Sequence, residues 1–198
     1  MANIELCNNI TSIIEDYREG EIPKPTAQHV ATWVSQFEAH IQDSILQEMQ
    51  HVLSHSYFKR DSVVQFINGL IHNNKLVVGT PAVFWPTVNF LNIQQGGSSQ
   101  QEMLQQFDLA LKSSLGFGLD NCGSQGGPFV YIDDAIFSGN RVRHDLEPWI
   151  KSYAPQSCTI HVIVMGFHKG GQWYASGRIN KAASEVGKKY YGSLVEMR

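Results

Sequence analysis

The chain has 198 residues, with 15 Lys and Arg against 18 Asp and Glu, and its formal net charge of −3 argues against a basic protein that tracks nucleic-acid phosphates. Hydrophobic residues at 42% and charged ones at 17% exclude a disordered polypeptide, and the length is enough to bury most of the unfolded surface without covalent staples. Three scattered cysteines, Cys7, Cys122 and Cys158, form no Cys-x-x-Cys unit, so neither a disulfide framework nor a zinc knuckle is expected and a reducing cytoplasm is the predicted location.

The first seven residues carry no positive stretch and no cleavage-like site, so no signal peptide is predicted. A first helical pattern runs over residues 4–17. Beyond Pro23 and Pro25, the residues Trp33, Phe37, Ile41, Ile45, Met49, Val52 and Leu53 recur at three- and four-residue spacing, which predicts one long amphipathic helix with these side chains on its core face. A shorter helix follows around Val63, Phe66, Ile67, Leu70 and Ile71, with Asp61 and Ser62 as candidate caps. Residues 1–75 thus read as an N-terminal helical region.

After Asn73-Asn74 the pattern changes, and strands are predicted over 76–78, 88–93, 129–132 and 159–167. Amphipathic helices over 100–115 and 140–151 separate them. Strand and helix in alternation predict an α/β fold with a reduced parallel sheet and crossover helices over residues 76–198, and no further core strand is evident after Lys188. The longest apolar run, 160–167, contains His161 and is too short to span a bilayer, so no membrane association is expected.

Chemistry concentrates in one string, Phe129-Val-Tyr-Ile-Asp133-Asp134-Ala-Ile-Phe-Ser138-Gly139-Asn140-Arg141. A buried strand delivers two carboxylates at its carboxyl end, and a hydroxyl-glycine turn then opens a helix. Backbone N–H groups of Ser138, Gly139, Asn140 and Arg141 can surround a phosphate at the positive helix end, while Asp133 and Asp134 suit ribose hydroxyls or a hydrated magnesium ion. A second glycine turn, Gly96-Gly97-Ser98, precedes a predicted helix start in which Ser99 and Glu102 have the spacing of a capping box. Its N–H groups suit a second anion, although an ordinary glycine-serine turn has the same composition.

The string resembles the PRPP-binding motif of type I phosphoribosyltransferases, in which four apolar residues precede two acidic ones, two apolar ones, a variable residue and Thr-Gly-x-Thr. Asp133 and Asp134 match the acidic pair, Ser138 replaces threonine, Gly139 matches glycine and Arg141 stands where threonine would close the motif. The resemblance implies a type I phosphoribosyltransferase-like fold, binding of PRPP or another ribose-phosphate with Mg2+, catalytic and metal-binding roles for Asp133 and Asp134, and phosphate contacts from residues 138–141 and 96–98. It also implies a flexible loop closing over the substrate, for which the glycine-rich span 116–127 is the counterpart. Trp33 to Phe37, Gly97 to Gln100 and Asp133 to Trp149 are more loosely similar to phosphoribosyltransferase-like proteins of bacterial conflict and anti-phage defence loci. That likeness implies a protein partner or homo-oligomer, and a non-catalytic ligand-sensing or scaffold subunit is the alternative function.

Other readings fit less well. Tyr131-Ile-Asp133-Asp134 has the form of a reverse-transcriptase Tyr-x-Asp-Asp box, but that box needs a hairpin strand immediately afterwards, where this chain has a serine-glycine turn and a helix pattern. Neither glycine turn contains Gly-Lys-Ser/Thr, and no Gly-x-Ser-x-Gly is present. Phe167 and Trp173 remain candidates for stacking on a base, and His168 and Lys169 for meeting an anion.

Overall fold

Helix α1, Ile4–Ile13, starts where the Asn3 carboxamide accepts hydrogen bonds from the N–H groups of Glu5 and Leu6. This computed structural model describes residues 3–124 and 126–195. Thr26 and His29 cap one another at the start of α2, Ala27–Val34, and α3 spans Gln42–Ser56. Cys7, Ile10, Val30, Val34 and Leu46 form the buried centre of this three-helix unit.

The long helix predicted from Trp33 onward is broken. Ser35 Oγ donates to Thr32 O and Gln36 Nε2 to Trp33 O, so side chains take the carbonyls that a continuing helix would use, and turns occupy 35–41. Trp33, Phe37 and Ile41 consequently stay more than a third exposed instead of lying on a core face. Trp33 lines an apolar groove of about 440 Å³ with Ile10, Tyr17, Met49 and Leu53.

Asp16 fixes the next element, since its two carboxylate oxygens accept the Tyr57 hydroxyl at 2.8 Å and the Arg60 N–H at 2.6 Å. Helix α4 runs over Arg60–Ile71. The chain divides into two compact units inside it, Met1–Val63 and Val64–Arg198. Phe66, Ile67, Leu70 and Ile71 are buried in the second unit, where the Ile71 carbonyl accepts the Trp85 indole N–H at 3.0 Å.

Residues 76–78, predicted as a strand, form the end of a turn and irregular chain after it. The Asn73 carbonyl accepts from both Leu76 and Val77, and the Asn73 side chain accepts from Lys75, so the asparagine closes the chain before it can extend. Helix α5, Pro81–Phe84, then leads into strand β1, Asn89–Phe90, helix α6, Ser99–Leu115, strand β2, Phe129–Ile136, and helix α7, Asn140–Ser152. Strand β3, Ser157–Phe167, helix α8, Lys169–Glu185, and strand β4, Lys189–Val195, complete the order. The four strands form one sheet, β1-β2-β3-β4, with every neighbouring pair parallel. This is the α/β sheet with crossover helices that the pattern predicts, behind a helical N-terminal region.

Strand β4 corrects the expectation that nothing core-like follows Lys188. Its sequence, Lys-Tyr-Tyr-Gly-Ser-Leu-Val, is too mixed to announce a buried strand, but a strand at a sheet edge needs only one covered side. Helix α8 also went unpredicted, because Gly170-Gly171 reads as a loop.

Register decides what β2 offers. Phe129, Tyr131 and Asp133 lie level with Ile160, Val162 and Val164, and this face packs on Val142, Leu146, Trp149 and Ile150 of α7 and Ala175, Ile179 and Ala183 of α8. Every residue from Val130 to Asp133 is buried, as a strand covered on both faces requires. No described helix is long and apolar enough to cross a membrane.

Candidate functional site

Strand β2 runs on to Ile136, past the predicted 129–132, so the two acids lie within its carboxyl half and not beyond its end. Alternation along the strand turns Asp133 inward, 2% exposed, and leaves Asp134 toward solvent. Asp133 Oδ1 accepts the Ser99 hydroxyl at 2.7 Å and the Asp134 N–H at 3.0 Å. Its other oxygen lies 3.3 Å from the Tyr131 hydroxyl, whose stronger contact, 2.8 Å, is to Asp145 on α7. Burial, with the two carboxylates beside it, holds the Tyr131 phenol far above its ordinary range, so it remains a proton donor.

Burial also raises the Asp145 carboxyl, an effect that the Tyr131 hydroxyl, the Gln95 N–H and the Arg141 charge partly offset. Asp134 is raised as well, by desolvation first and then by the negative charge of Asp133. One of its oxygens accepts the Ala135 N–H, and its carboxyl group also lies against that of Asp133.

The expected capping box at the start of α6 does not form. Ser98 is the N-cap and its hydroxyl bonds Glu102, while Ser99 turns to Asp133 across 34 positions of sequence. Gln100, fully buried, does the work that fixes the loop: its side-chain oxygen accepts the N–H groups of Ile93 and Gln94, at 2.7 and 3.0 Å. The Ile93 N–H would otherwise continue the ladder that Asn89 and Leu91 donate to the 128–130 carbonyls, and Gln100 Nε2 takes the next acceptor, Ile132 O, which explains why the predicted strand over 88–93 shortens to two residues. The Gly96-Gly97-Ser98 turn is thereby held beside the acidic pair, with Gly97 at φ +88° and no acceptor for its three N–H groups among the described residues.

The Ser138–Arg141 turn follows β2 directly. Gly139 is left-handed, φ +78°, and its backbone packs so closely on Gly171 of α8 that a Cβ on either glycine would overlap a carbonyl oxygen of the other segment. The Ser138 hydroxyl accepts the Asn140 N–H at 3.3 Å, while the N–H groups of Arg141 and Val142 find no acceptor among the described residues. The Arg141 side chain reaches across to the other turn. A Cβ on Gly96 would stand 3.6 Å from Nη1, and one on Gly97 4.0 Å from Nη2.

The acidic pair and both glycine turns therefore meet at one end of the sheet, joined by Ser99 to Asp133 and by Arg141 to Gly96. A model of the PRTase-CE family matches residues 30–193, most of the chain. The chain belongs to the PRTase-CE family, a phosphoribosyltransferase-type family. No curated protein and no solved structure matches it.

Within this PRTase-CE chain, the glycine-rich span after α6 lies elsewhere than a lid over the acids would. Gly123 donates to Pro86 O, and the Asn89 side chain donates to Ser124 O, which ties the span to the amino end of β1. Asn89 is level with Phe129, four residues and about 13 Å before Asp133. His168 stands at the N-cap position of α8 without a side-chain capping bond, its backbone N–H donates to Ile136 O, and Trp173 stands 80% exposed. Tyr131, Gln100 and Asp145 had no sequence signal as site residues: the Tyr131–Asp145 pair is 14 positions apart, Asp145 meets Gln95 50 positions away, and the Gln100 side chain folds back onto the Ile93 and Gln94 N–H groups while reaching Ile132 O 32 positions on.

No group of three or more His, Cys, Asp or Glu able to hold a metal occurs among the described residues. Asp133 is buried with its oxygens engaged by Ser99, the Asp134 N–H and Tyr131, which leaves exposed Asp134 as the more accessible carboxylate of the pair. One carboxylate suits Mg2+ that arrives with a diphosphate and keeps most of its waters, and does not suit a resident ion in an all-protein cage.

Proposed function

We propose that this PRTase-CE protein binds PRPP, or a closely related ribose-phosphate, at the carboxyl end of β2. The observation that supports this best is the convergence of two glycine turns with unaccepted N–H groups on a single acidic pair in the carboxyl half of β2. The 5-phosphate would sit on the turn 138–141, the diphosphate on 96–98, and the ribose hydroxyls against Asp134, with Asp133 held behind it by Ser99 and Tyr131. Mg2+ would neutralise the diphosphate, with Asp134 as its protein ligand. In transfer, the C1–O bond of the ribose breaks as pyrophosphate leaves with its electron pair, and a nucleophile on an unidentified acceptor bonds to C1. Asp134 would steady the positive charge that develops on the sugar.

Binding without transfer is the second reading, favoured by the position of the 116–127 span at the far end of β1. In that role the protein would sense a ligand or serve as a scaffold for a protein partner or a second copy, as in a defence system. Calorimetric titration with PRPP and magnesium tests the binding itself: heat is expected, and Asp134→Asn should weaken it about tenfold or more, the scale of one hydrogen bond to a charge. No heat with the native protein, or equal affinity in the variant, overturns the proposal. Pyrophosphate release with a panel of bases and nucleosides would select transfer over the second reading.

A further inference from the structure

Three cationic side chains open or flank α7, and two of them are spent on structure. Arg143 and Arg178 both end on Glu147, whereas Arg141 meets no carboxylate among the described residues and stays exposed. Its guanidinium lies instead over Gly96 and Gly97, whose missing side chains leave room for it. The same residue thus belongs to two turns: its backbone N–H opens α7, and its side chain reaches the loop before α6. A threonine, as in the motif this segment resembles, would stop at its own turn.

The loop that Arg141 reaches is itself fixed. Gln100 holds Ile93 and Gln94, and the Gln95 N–H donates to Asp145, the carboxylate that also lies near enough to Arg141 to feel its charge. Gly96, Gly97 and Ser98 follow, and their N–H groups meet no acceptor among the described residues. An anion received by those groups lies within reach of a planar, permanently charged fork that binds phosphate oxygens in pairs.

We infer that the Arg141 guanidinium is the diphosphate clamp of this site, making Arg141 the residue that separates ligands with a diphosphate at C1 from ribose monophosphates. This rests on the phosphoribosyl reading above. Its side chain acts on the 96–98 turn alone, while the 138–142 turn holds the monophosphate through backbone groups that a side-chain substitution leaves in place. Loss of the guanidinium should therefore weaken ligands that carry a diphosphate and spare those that do not.

Calorimetric titration of the full chain with PRPP, inorganic pyrophosphate and ribose 5-phosphate, in the native protein, Arg141→Gln and Arg141→Lys, tests this. In Arg141→Gln the affinity for PRPP and pyrophosphate should fall at least about tenfold, as for loss of a charge-assisted contact, with ribose 5-phosphate changed less than about twofold. Arg141→Lys should recover part of the loss, since it keeps the charge and lacks the fork. Unchanged PRPP binding in Arg141→Gln, or an equal loss for ribose 5-phosphate in a variant with native circular dichroism and melting, overturns the assignment. If the native protein binds neither PRPP nor ribose 5-phosphate, the phosphoribosyl reading falls first and the clamp with it.

Discussion

Gly171 sits in the first turn of α8, where alanine ordinarily favours a helix by about 1 kcal/mol. Here a Cβ would overlap the carbonyl oxygen of Phe137, the residue before the Ser138–Arg141 turn. Gly171→Ala should therefore destabilise the fold by about 1–3 kcal/mol in urea unfolding and weaken PRPP binding, against its helix propensity. A stabilised variant would show that the two segments do not need this approach. The contrast explains what was legible at single residues. Asp133, Asp134, Ser138 and Gly139 announce themselves through local order along the chain. Gly171 reads as a loop glycine, because the backbone it must admit comes from a turn more than 30 positions earlier.

At the scale of elements, the sheet depends on its last strand. β4 pairs with β3 from Ser157–Lys189 to Ile163–Val195, and Tyr190 packs on the core under α7 and α8. Ending the chain after Lys188 would turn the long β3 into an unprotected edge rich in β-branched residues, a template for pairing with other chains. Such a variant should form concentration-dependent aggregates by light scattering, and a monodisperse, native-like product would refute the dependence. Periodicity revealed the first half of β2, α6, α7 and most of β3, whose apolar residues follow strand or helical spacing. It failed for α2 and α3, where one continuous stripe of apolar residues spans two helices, because spacing cannot register Ser35 and Gln36 capturing the carbonyls of Thr32 and Trp33.

The most buried shifted carboxyls of the two units move in opposite directions. In the first, burial pushes the Asp16 carboxyl up, but the Arg60 N–H and the Tyr57 hydroxyl together leave it below the usual range, and Lys59 and Lys24 lower exposed Glu15. A lowered carboxyl contributes stability above its unfolded value, near 4, and that contribution is lost as pH falls through the folded value. In the second unit, Asp134 and Asp145 are raised, so the folded state favours their protonated forms and its stability declines as pH rises through the raised values. Moving from neutral pH to about 3.5 should reduce hydrogen-exchange protection more in residues 3–63 than around β2 and α7. Greater loss around β2 would contradict this balance, in which half-buried Asp108 and exposed Glu185, both lowered by lysines, and His161, lowered by burial, pull the other way in the second unit.

By itself the sequence determined an α/β chain behind a helical front, and it placed two acids and a hydroxyl-glycine turn between a strand and a helix. Those features are local: alternation, helical period and a short motif are set by neighbours along the chain. Only the tertiary structure decided that Ser99 would bind Asp133 and not cap α6, that Tyr131 would bridge two buried carboxylates, and that Arg141 would reach the Gly96 turn. It also added β4 to the sheet and carried the glycine-rich span to the opposite end of β1. Each of these depends on which distant segments the parallel pairing brings level, and the register of a sheet is fixed by the packing of whole faces.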